Sequence, residues 1–316
     1  MKTRETDAIA DELESGALPA IDRPRRHRVW RRFLRDHAAV AGALILLIMF
    51  FTAYAASWIA PRHYDDQLLT RRLRPAFSTY QGQLFILGTD QLGRDVLSRM
   101  LYGARVSLAV GFVSVGIATL IGIVLGALAG YHGGTIDAMV MRLVDLMLVF
   151  PRLFLLLAVL AFLRPSIWTI MAVIGLTGWM SVARLVRAEF LSLKEREFVL
   201  WSQSIGASAY RTIWRHILPN AIGPVLVAMT LGIPAAILTE SGLSFLGLGV
   251  QPPHATWGNI LNEGKDAIEI GWWLSAYPGV AILITVLSYN LLGEGIRDAL
   301  DPRLRQSVGR IVSRTR

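Results

Sequence analysis

Few residues of this chain have the types and spacing that catalysis requires. No cysteine is present, which excludes disulfides and thiolate metal sites. The six histidines are scattered, and neither an H-E-x-x-H zinc spacing nor a Ser/His/Asp arrangement is visible. Gly264 and Lys265 are followed by Asp266 and lack the earlier glycine of a phosphate-binding G-x-x-x-x-G-K-[ST] loop. We therefore predict a chain that is not an enzyme, has no catalytic, cofactor or metal residues of its own and does not hydrolyse ATP.

Isolated charges inside apolar runs are the remaining candidates for chemistry, because an ionised side chain in lipid is costly. Arg142 and Asp145 stand three residues apart, a spacing that lets them pair on one helix face. Arg152 sits near the middle of the same run and must face a partner group or a watery path. Glu240 is a single carboxylate in an apolar run, and hydrogen-bonded packing is favoured over a proton relay.

The runs that carry these charges predict membrane-spanning helices. The chain is 53% hydrophobic and 17% charged, whereas soluble domains carry about a quarter charged residues. Helices of this length reach across about 30 Å of hydrocarbon, and the runs lack the alternation of barrel strands. We predict an all-α polytopic fold with six transmembrane helices. Five of the runs contain no charged residue: Ala38–Ala60, Val106–Gly130, Pro165–Ala183, Ala221–Thr239 and Gly271–Gly293. The sixth run, Ala138–Leu163, carries the charges Arg142, Asp145 and Arg152 and is expected to kink at Pro151.

Positive charge flanks the apolar runs, which predicts membrane topology rather than nucleic-acid binding. The net charge is +9, and arginines cluster before the first run and after the last. We therefore expect both termini in the cytoplasm. The arginines of the first loop would then lie outside, against the rule that positive charges stay inside, but long loops can cross the membrane despite their charge. The predicted organisation is a cytoplasmic basic N-terminal tail (1–37), a first transmembrane helix (38–60), an extracytoplasmic loop (61–103), a core of five transmembrane helices (104–296) with a cytoplasmic loop (187–220), and a cytoplasmic C-terminal tail (297–316).

The polar segment Arg187–Asn220, between two apolar runs, has the pattern of a folded unit. Gly206 is expected to stop one short helix and Ser208 to cap the next. Apolar residues then recur at helical spacing as far as Pro219, which is expected to end the second helix. We predict two amphipathic helices with a bend, held against the membrane. Their apolar faces are Phe198, Trp201 and Ile205 on the first helix and Tyr210, Ile213, Trp214, Ile217 and Leu218 on the second.

This segment resembles the cytoplasmic loop of ABC-transporter permeases, which docks into a groove on the ATPase subunit. The resemblance rests on the Gly-Ala-Ser run at 206–208 and the I-x-x-x-I-L-P-N run at 213–220. The family's opening Glu-Ala-Ala is absent, since Leu-Trp-Ser stands at 200–202. An ordinary amphipathic connector lying on the membrane is the alternative. The resemblance implies contacts with the ATPase by Glu197, Gly206, Ala207, Ser208, Ile213, Ile217, Leu218 and Pro219.

The run G-T-D-Q-L-G-R-D at 88–95 resembles the segment before the second span of the C-type permease subunit of dipeptide, oligopeptide and nickel importers. S-G-L-S-F-L-G-L-G-V-Q-P-P at 241–253 and N-L-L-G-E-G-I-R-D-A-L-D-P-R at 290–303 are also close to the family pattern. The charges of the first run are expected to cap helices and pair with one another, and a metal site is the disfavoured alternative. Structural or gating roles are expected for Asp90, Gly93, Arg94, Asp95, Arg142, Asp145, Pro151 and Glu240.

This resemblance covers nearly everything from the first span to Pro302. It implies the permease fold of a type I ABC importer and a place in a bacterial inner membrane. The chain would share a translocation path for di- or oligopeptides, or related small solutes, with a homologous B-type permease. Two ATP-binding subunits would bind ATP and magnesium, and an extracytoplasmic substrate-binding protein would deliver the cargo. Apart from these proteins and membrane lipid no partner is implied, and no nucleic acid.

Two other classes remain as alternatives. A secondary carrier driven by an ion gradient would need several buried carboxylates and broken helices, whereas Glu240 is nearly alone. An intramembrane enzyme would need a nucleophile or metal constellation inside the spans. For Arg152, one hypothesis places it in the translocation path, where it attracts the carboxylate of a passing peptide. The favoured alternative is an internal ion pair or a snorkelling side chain.

Overall fold

The computed structural model describes residues 26–164 and 166–300, so the predictions for residues 1–25 and 301–316 lie outside the described residues. Regular structure is almost entirely helical, as predicted. Two short strands, β1 (Ser78–Tyr80) and β2 (Gln83–Phe85), form an antiparallel hairpin. The α-helices, in chain order, are α1 (Arg26–Phe33), α2 (His37–Tyr54), α3 (Ala56–Ile59), α4 (Val96–His132), α5 (Gly134–Val149), α6 (Arg152–Phe162), α7 (Ile167–Leu176), α8 (Trp179–Lys194), α9 (Glu197–Ser204), α10 (Ala209–Arg211), α11 (Leu218–Phe245), α12 (Trp257–Lys265) and α13 (Trp273–Leu300).

The helices that are long and apolar enough to cross a membrane fall into two groups. Two bent pairs, α5 with α6 at 87° and α7 with α8 at 40°, each qualify as one broken span. Pro151 stands in the first break, so the predicted kink is confirmed. Six spans result when each bent pair crosses once, which is the predicted number. Four continuous helices also qualify: His37–Tyr54, Val96–His132, Ala209–Phe245 and Trp273–Leu300.

Close packing of α4 against α8 organises the bundle. Gly122, Gly126 and Gly130 line this contact, so one face of α4 has no side chains there. A Cβ added at Gly126 would lie 2.5 Å from the carbonyl oxygen of Ala183, and one at Gly122 would lie 2.6 Å from the Cβ of Val182. The two helices run in the same direction, because residues later in α4 meet residues later in α8.

The remaining long helices pack on α4 and on each other. Gly42 of α2 lies against the backbone of Ser288 in α13, and Gly111 of α4 lies against Ile233 and Ile237 of α11. Glycine again permits the close approach, since side chains at these positions would collide with the neighbouring helix. The largest apolar cluster includes Leu108, Val110, Val115, Ile170, Ile174, Ile233, Ile237 and Leu243.

Long-range contacts sort the connecting segments to two ends of the bundle. At one end, Lys194 Nζ donates to the carbonyl oxygen of Tyr131 at 2.7 Å. At the other, the Trp257 N–H donates to Ser107 Oγ at 3.2 Å. The segment between α8 and α11 therefore lies at the first end, and the segments that precede α4 and flank α12 lie at the second. We call these the inner and outer ends after the predicted topology, whose sidedness remains a prediction.

Candidate functional site

Residues 195–217 connect α8 to α11, and we call them the inner segment. Its first helix, α9, ends before Gly206, which has a φ of +81°, a conformation that glycine adopts at little cost. The Gly206 N–H donates to the carbonyl oxygen of Gln203 at 2.9 Å, which satisfies part of the helix end. Ser208 Oγ accepts from the Arg211 N–H at 3.4 Å and caps the next helix. The predicted bend and cap are confirmed.

The predicted end of the second helix at Pro219 is wrong, because the helix continues through this proline to Phe245. In a regular α-helix, proline lacks the N–H and clashes with the carbonyl four residues earlier. A π-helical turn over Thr212–Ile217 comes immediately before and alters that spacing. Within this turn the Leu218 N–H donates to the carbonyl oxygen of Ile213, five residues earlier, and the changed hydrogen-bond spacing accommodates Pro219. The inner segment is thus continuous with a membrane-spanning helix.

One side of the inner segment is packed against the membrane-spanning helices. Ile213 and Ile217 are buried, together with Val199 of α9. These side chains form a cluster with Val186 and Phe190 of α8. The sequence pattern did not reveal Val199, because the apolar face assigned to α9 was made of other residues. A displacement of the inner segment must therefore displace α8 and α11 as well.

The opposite side of the inner segment exposes an apolar surface, the inner ridge, made of Phe198, Trp201, Ile205, Tyr210 and Trp214. Trp201, Ile205 and Tyr210 are 71%, 82% and 74% exposed. The rings of Tyr210 and Trp214 contact each other, with centroids 6.1 Å apart. The predicted single stripe of the second helix is therefore wrong: its aromatic members face outward and its isoleucines inward. Exposed apolar patches of this kind mark surfaces that bind another protein or lipid.

The residues expected to contact an ATPase divide by exposure. Ile213 and Ile217 are buried, so in this structure they hold the segment in place. Glu197 lies in the first turn of α9, where a carboxylate is favoured by the helix dipole. Direct contact with an ATPase remains a prediction for the whole set. The exposed or half-buried members are Glu197, Gly206, Ala207, Ser208, Leu218 and Pro219.

At the outer end, four charged side chains form a network that we call the outer cluster: Asp90, Arg94, Arg99 and Glu263. Asp90 Oδ2 accepts from Arg94 Nε and from Arg99 Nη1, both at 2.6 Å. Glu263 of α12 accepts from Arg94 Nη2 at 2.9 and 3.0 Å and also pairs with Arg99. Asp90 is 0% exposed, and both arginines are almost completely buried. Two positive and two negative groups make the cluster formally neutral, which offsets the cost of burying them.

The loop that carries Asp90 is shaped by its own sequence. Asp95 Oδ2 accepts from the Ser98 N–H at 2.8 Å and caps α4. Gly93 has a φ of +72°, and a side chain there would collide with the backbone of Leu68. The predicted capping and pairing in this run therefore agree with the structure, and their role in transport stays a prediction.

Two members of the outer cluster were not predicted. Arg99 and Glu263 are 164 residues apart, and no local pattern connects them. Glu263 is held in α12, whose Trp257 also donates its indole N–H to the carbonyl oxygen of Met100 at 3.2 Å. Residues 26–164 and 166–300 contain no group of three His, Asp or Glu side chains placed to hold a metal ion. The cluster ties the outer loop to α12.

Ion pairs also connect α5 to α8 near the inner end. The predicted pairing of Arg142 with Asp145 is wrong, since Asp145 pairs with Arg184 of α8 at 2.6 Å. Arg142 is exposed and forms no ion pair within the described part of the chain. One turn further along α8, Arg187 Nη2 donates to Asp137 at 2.6 Å. Helix packing brings these partners together, so pairing within a single helix was the wrong expectation.

Arg152 begins α6, immediately after the bend at Pro151. Its Nη2 donates to the carbonyl oxygen of Ile174 at 3.3 Å and forms no ion pair with the described residues. The guanidinium lines a cavity of ≈ 210 Å³ between α4, α6, α7, α8 and α11. The favoured alternative had two forms, and the internal ion pair has no support in residues 26–164 and 166–300, whereas the snorkelling side chain stays a prediction.

Glu240 is fully buried in α11. Its Oε1 accepts from Ser244 Oγ at 2.7 Å, one helical turn later. This bond agrees with the predicted hydrogen-bonded packing, and a gating role for the residue stays a prediction.

Two known protein families match different parts of this chain. Residues 122–306 match the family described as the binding-protein-dependent transport system inner membrane component. Residues 25–76 match the N-terminal TM domain of oligopeptide transport permease C.

Individual relatives match along most of their length. The dipeptide transport system permease protein DppC of Bacillus subtilis (strain 168) is 41% identical over 278 residues, 88% of this chain and 85% of that protein. The glutathione transport system permease protein GsiD of Pectobacterium atrosepticum is 40% identical over 276 residues, 87% of this chain and 90% of that protein. A solved chain of the MetNI methionine ABC transporter, in an inward-facing conformation, superposes with a TM-score of 0.53. It is 20% identical and covers 65% of this chain and 98% of its own length, which shows a shared fold.

Proposed function

This chain belongs to the family of binding-protein-dependent transport system inner membrane components, and from that premise we propose that it is one of two permeases of an ATP-driven peptide importer. Its cargo class is di- or oligopeptides and related small solutes. Support for this class comes from relatives named for dipeptide, oligopeptide and glutathione transport, at 41%, 37% and 40% identity. The importer resides in a bacterial inner membrane, and both termini of the chain face the cytoplasm.

The assembly requires partners that supply what this chain lacks. A homologous second permease completes the translocation path, and an extracytoplasmic substrate-binding protein delivers cargo to the outer end. Two ATP-binding subunits hold ATP and magnesium and carry out hydrolysis, because the sequence has no phosphate-binding loop.

The observation that carries this proposal is the two-sided inner segment. Its exposed inner ridge offers an apolar surface to an ATPase groove, and its buried side is packed into α8. Continuity through Pro219 extends the same segment into α11. Movement of the ATPase subunits during closure on ATP therefore displaces two membrane-spanning helices at once, and the bundle alternates between inward and outward access.

In this mechanism the charged side chains hold different parts of the bundle together. The outer cluster keeps the outer loop and α12 moving as one unit, because separating them would leave buried charges unpaired. The pairs of Asp137 and Asp145 with α8 keep α5 in register with the helix that leaves the inner segment. Glu240 packs inside the outer part of α11, where its Oε1 accepts from Ser244 Oγ.

Charge placed on the inner ridge tests the proposal. We expect Trp201→Asp and Ile205→Asp to reduce co-purification of the ATPase and ATP-dependent peptide uptake by about tenfold or more, since an apolar interface is disrupted by an unpaired charge. Leu84→Asp on the outer hairpin is the control, because Leu84 is also exposed but lies at the other end. Retained ATPase and undiminished uptake in the ridge variants would refute the proposed coupling.

A further inference from the structure

The cavity beside Arg152 lies near the middle of the membrane-spanning bundle. Ser114, the central residue of the 37-residue helix α4, lines it. The other lining residues are small or apolar, and Arg152 is the only charged one among them. A volume of ≈ 210 Å³ holds several water molecules. A single positive charge therefore faces a space that water or a small polar group can fill.

The charge of Arg152 is not neutralised by nearby carboxylates of the described residues. Asp137 and Asp145, the two acidic side chains of the preceding helix, are engaged by arginines of α8. Glu240, one helical turn beyond the lining residue Ala236, is fully buried, accepts from Ser244 and forms no ion pair with Arg152. Within the described residues Arg152 has one hydrogen bond, to the carbonyl oxygen of Ile174, and an arginine has five N–H donors. Most of its donors remain available to a ligand.

The exposure of Arg152 indicates which face of the chain borders the translocation path. Its side chain is partly exposed at a depth where lipid would otherwise surround it. An ionised group facing hydrocarbon at mid-depth is costly, so such residues face the interior of an assembly or a water-filled path. This face is therefore directed towards the translocation path and away from lipid.

The start of α6 adds to the positive potential around the backbone of Arg152. Arg152 is its first residue, and Pro151 before it provides no side-chain cap. The first N–H groups of a helix lack intrahelical partners and favour anions. The start of α6 and the guanidinium of Arg152 therefore both favour the binding of a negatively charged group.

We propose that Arg152 and the cavity beside it form a carboxylate-binding subsite in the translocation path. A guanidinium presents paired N–H donors that match the two oxygens of a carboxylate. The hydroxyl groups of Ser114 and Ser181 add uncharged polar contacts, and the small side chains leave room for the residue that bears the carboxylate. In this role Arg152 determines specificity: it favours cargo with a free carboxylate over cargo without one.

The electrostatic part of the proposal is tested independently of any cargo. The chain has no cysteine, so Ser181→Cys introduces a single thiol into it. In the assembled transporter, its reaction rates are measured with sulfonatoethyl and trimethylammonioethyl methanethiosulfonate, which carry opposite charges. We expect the ratio of anionic to cationic rates to fall about tenfold or more when Arg152→Gln is added, because the unit charge lies within the same cavity. Arg152→Lys keeps the charge and should keep the ratio.

Two results of this labelling would overturn the proposal. A rate ratio that is unchanged by Arg152→Gln would show that the guanidinium does not act on the cavity. A thiol at position 181 that reacts with neither reagent would show that the cavity is closed to polar solutes. Leu84→Cys at the outer end provides the reference rates for an exposed thiol. If Arg152→Gln fails to assemble, the comparison of position 181 with this reference still decides the sign of the local potential.

The specificity part rests on the proposed function and is tested by transport. Uptake of a dipeptide and of its C-terminal amide is compared in proteoliposomes, after correction for the binding protein's separately measured affinity for each. We expect the preference for the carboxylate form to fall about tenfold in Arg152→Gln. It should fall less in Arg152→Lys, because lysine keeps the positive charge but lacks the paired N–H donors of a guanidinium. An unchanged preference alongside normal import refutes the subsite and leaves the peptide importer intact. Absence of ATP-dependent import by the unaltered transporter refutes the proposed function, and the labelling experiment then decides the subsite alone.

Discussion

Removing the charge of Asp90 should loosen the outer end of the bundle far more than removing a similar charge nearby. Asp90 accepts four hydrogen bonds: from the N–H groups of Leu92 at 2.8 Å and Arg94 at 2.9 Å, and from the Arg94 and Arg99 guanidinium groups at 2.6 Å. In Asp90→Asn the backbone bonds can persist on the amide oxygen. The amide NH₂ then faces two guanidinium donors, and two buried arginines share one remaining carboxylate.

The magnitude follows from burial. Breaking a buried ion pair by removing one partner costs about 3–5 kcal/mol. Asp66 provides a matched comparison, because it also pairs with two arginines, Arg62 at 3.3 Å and Arg71 at 3.2 Å, but its side chain is 42% exposed. Water reaches the Asp66 carboxylate although Arg71 is buried, so the loss of this carboxylate should cost less than the loss of a fully buried one. The same Asp→Asn change should therefore cost less at position 66 than at position 90.

Hydrogen exchange in the assembled transporter measures this difference directly. The amides of Leu92 and Arg94 exchange when the outer loop opens, so a loss of about 3–5 kcal/mol raises their rates about 150- to 4,000-fold. Asp66→Asn should raise them less, because the Asp66 carboxylate is accessible to water whereas Asp90 is fully buried. Equal exchange in the two variants would refute the inference that the outer cluster, through buried charge, holds the loop to α12.

Three further outcomes are expected. Gly126→Ala should lower the melting temperature of the detergent-solubilised transporter, because the new methyl group meets the α8 backbone, whereas Gly116→Ala, with open space around it, should leave it unchanged or raise it. Gly206→Ala should cost about 1–2 kcal/mol in a thermal unfolding assay, because φ is +81° there, and Gly206→Asn should cost less; equal losses would contradict a conformational origin. Although burial opposes it, hydrogen bonds from two arginines lower the pKa of Asp66 below 3.8. Its contribution to stability is thus complete above pH 3.8 and lost as the pH falls below it, a loss that Asp66→Asn should remove from an acid titration.

Much of the architecture was predictable from local sequence. Long uncharged runs must form helices, because hydrocarbon offers no hydrogen-bond partner to the backbone and a helix satisfies its own groups. The bend at Gly206 and the caps made by Ser208 and Asp95 were predictable for a similar reason, since each depends on residues within one turn of the chain. Pro151 could be assigned to a break because proline perturbs a helix from within.

The partners of most charged side chains could be assigned only from the tertiary structure. Asp145 pairs with Arg184 instead of Arg142, and Glu263 completes a cluster 164 residues from Arg99. The side of each helix that faces the bundle was equally undetermined, which is why the inner ridge and the buried isoleucines were first placed on one stripe.

The physical reason is the range over which each effect acts. Hydropathy, turn conformation and capping are properties of a few consecutive residues, so the sequence by itself determined the membrane-spanning helices and the breaks at Pro151 and Gly206, but not the continuation through Pro219. Ion pairs, the cavity beside Arg152 and the exposure of the inner ridge depend on how helices rotate and cross when glycine faces let them approach. Those rotations arise from the packing of the whole bundle, and only the tertiary structure decided them.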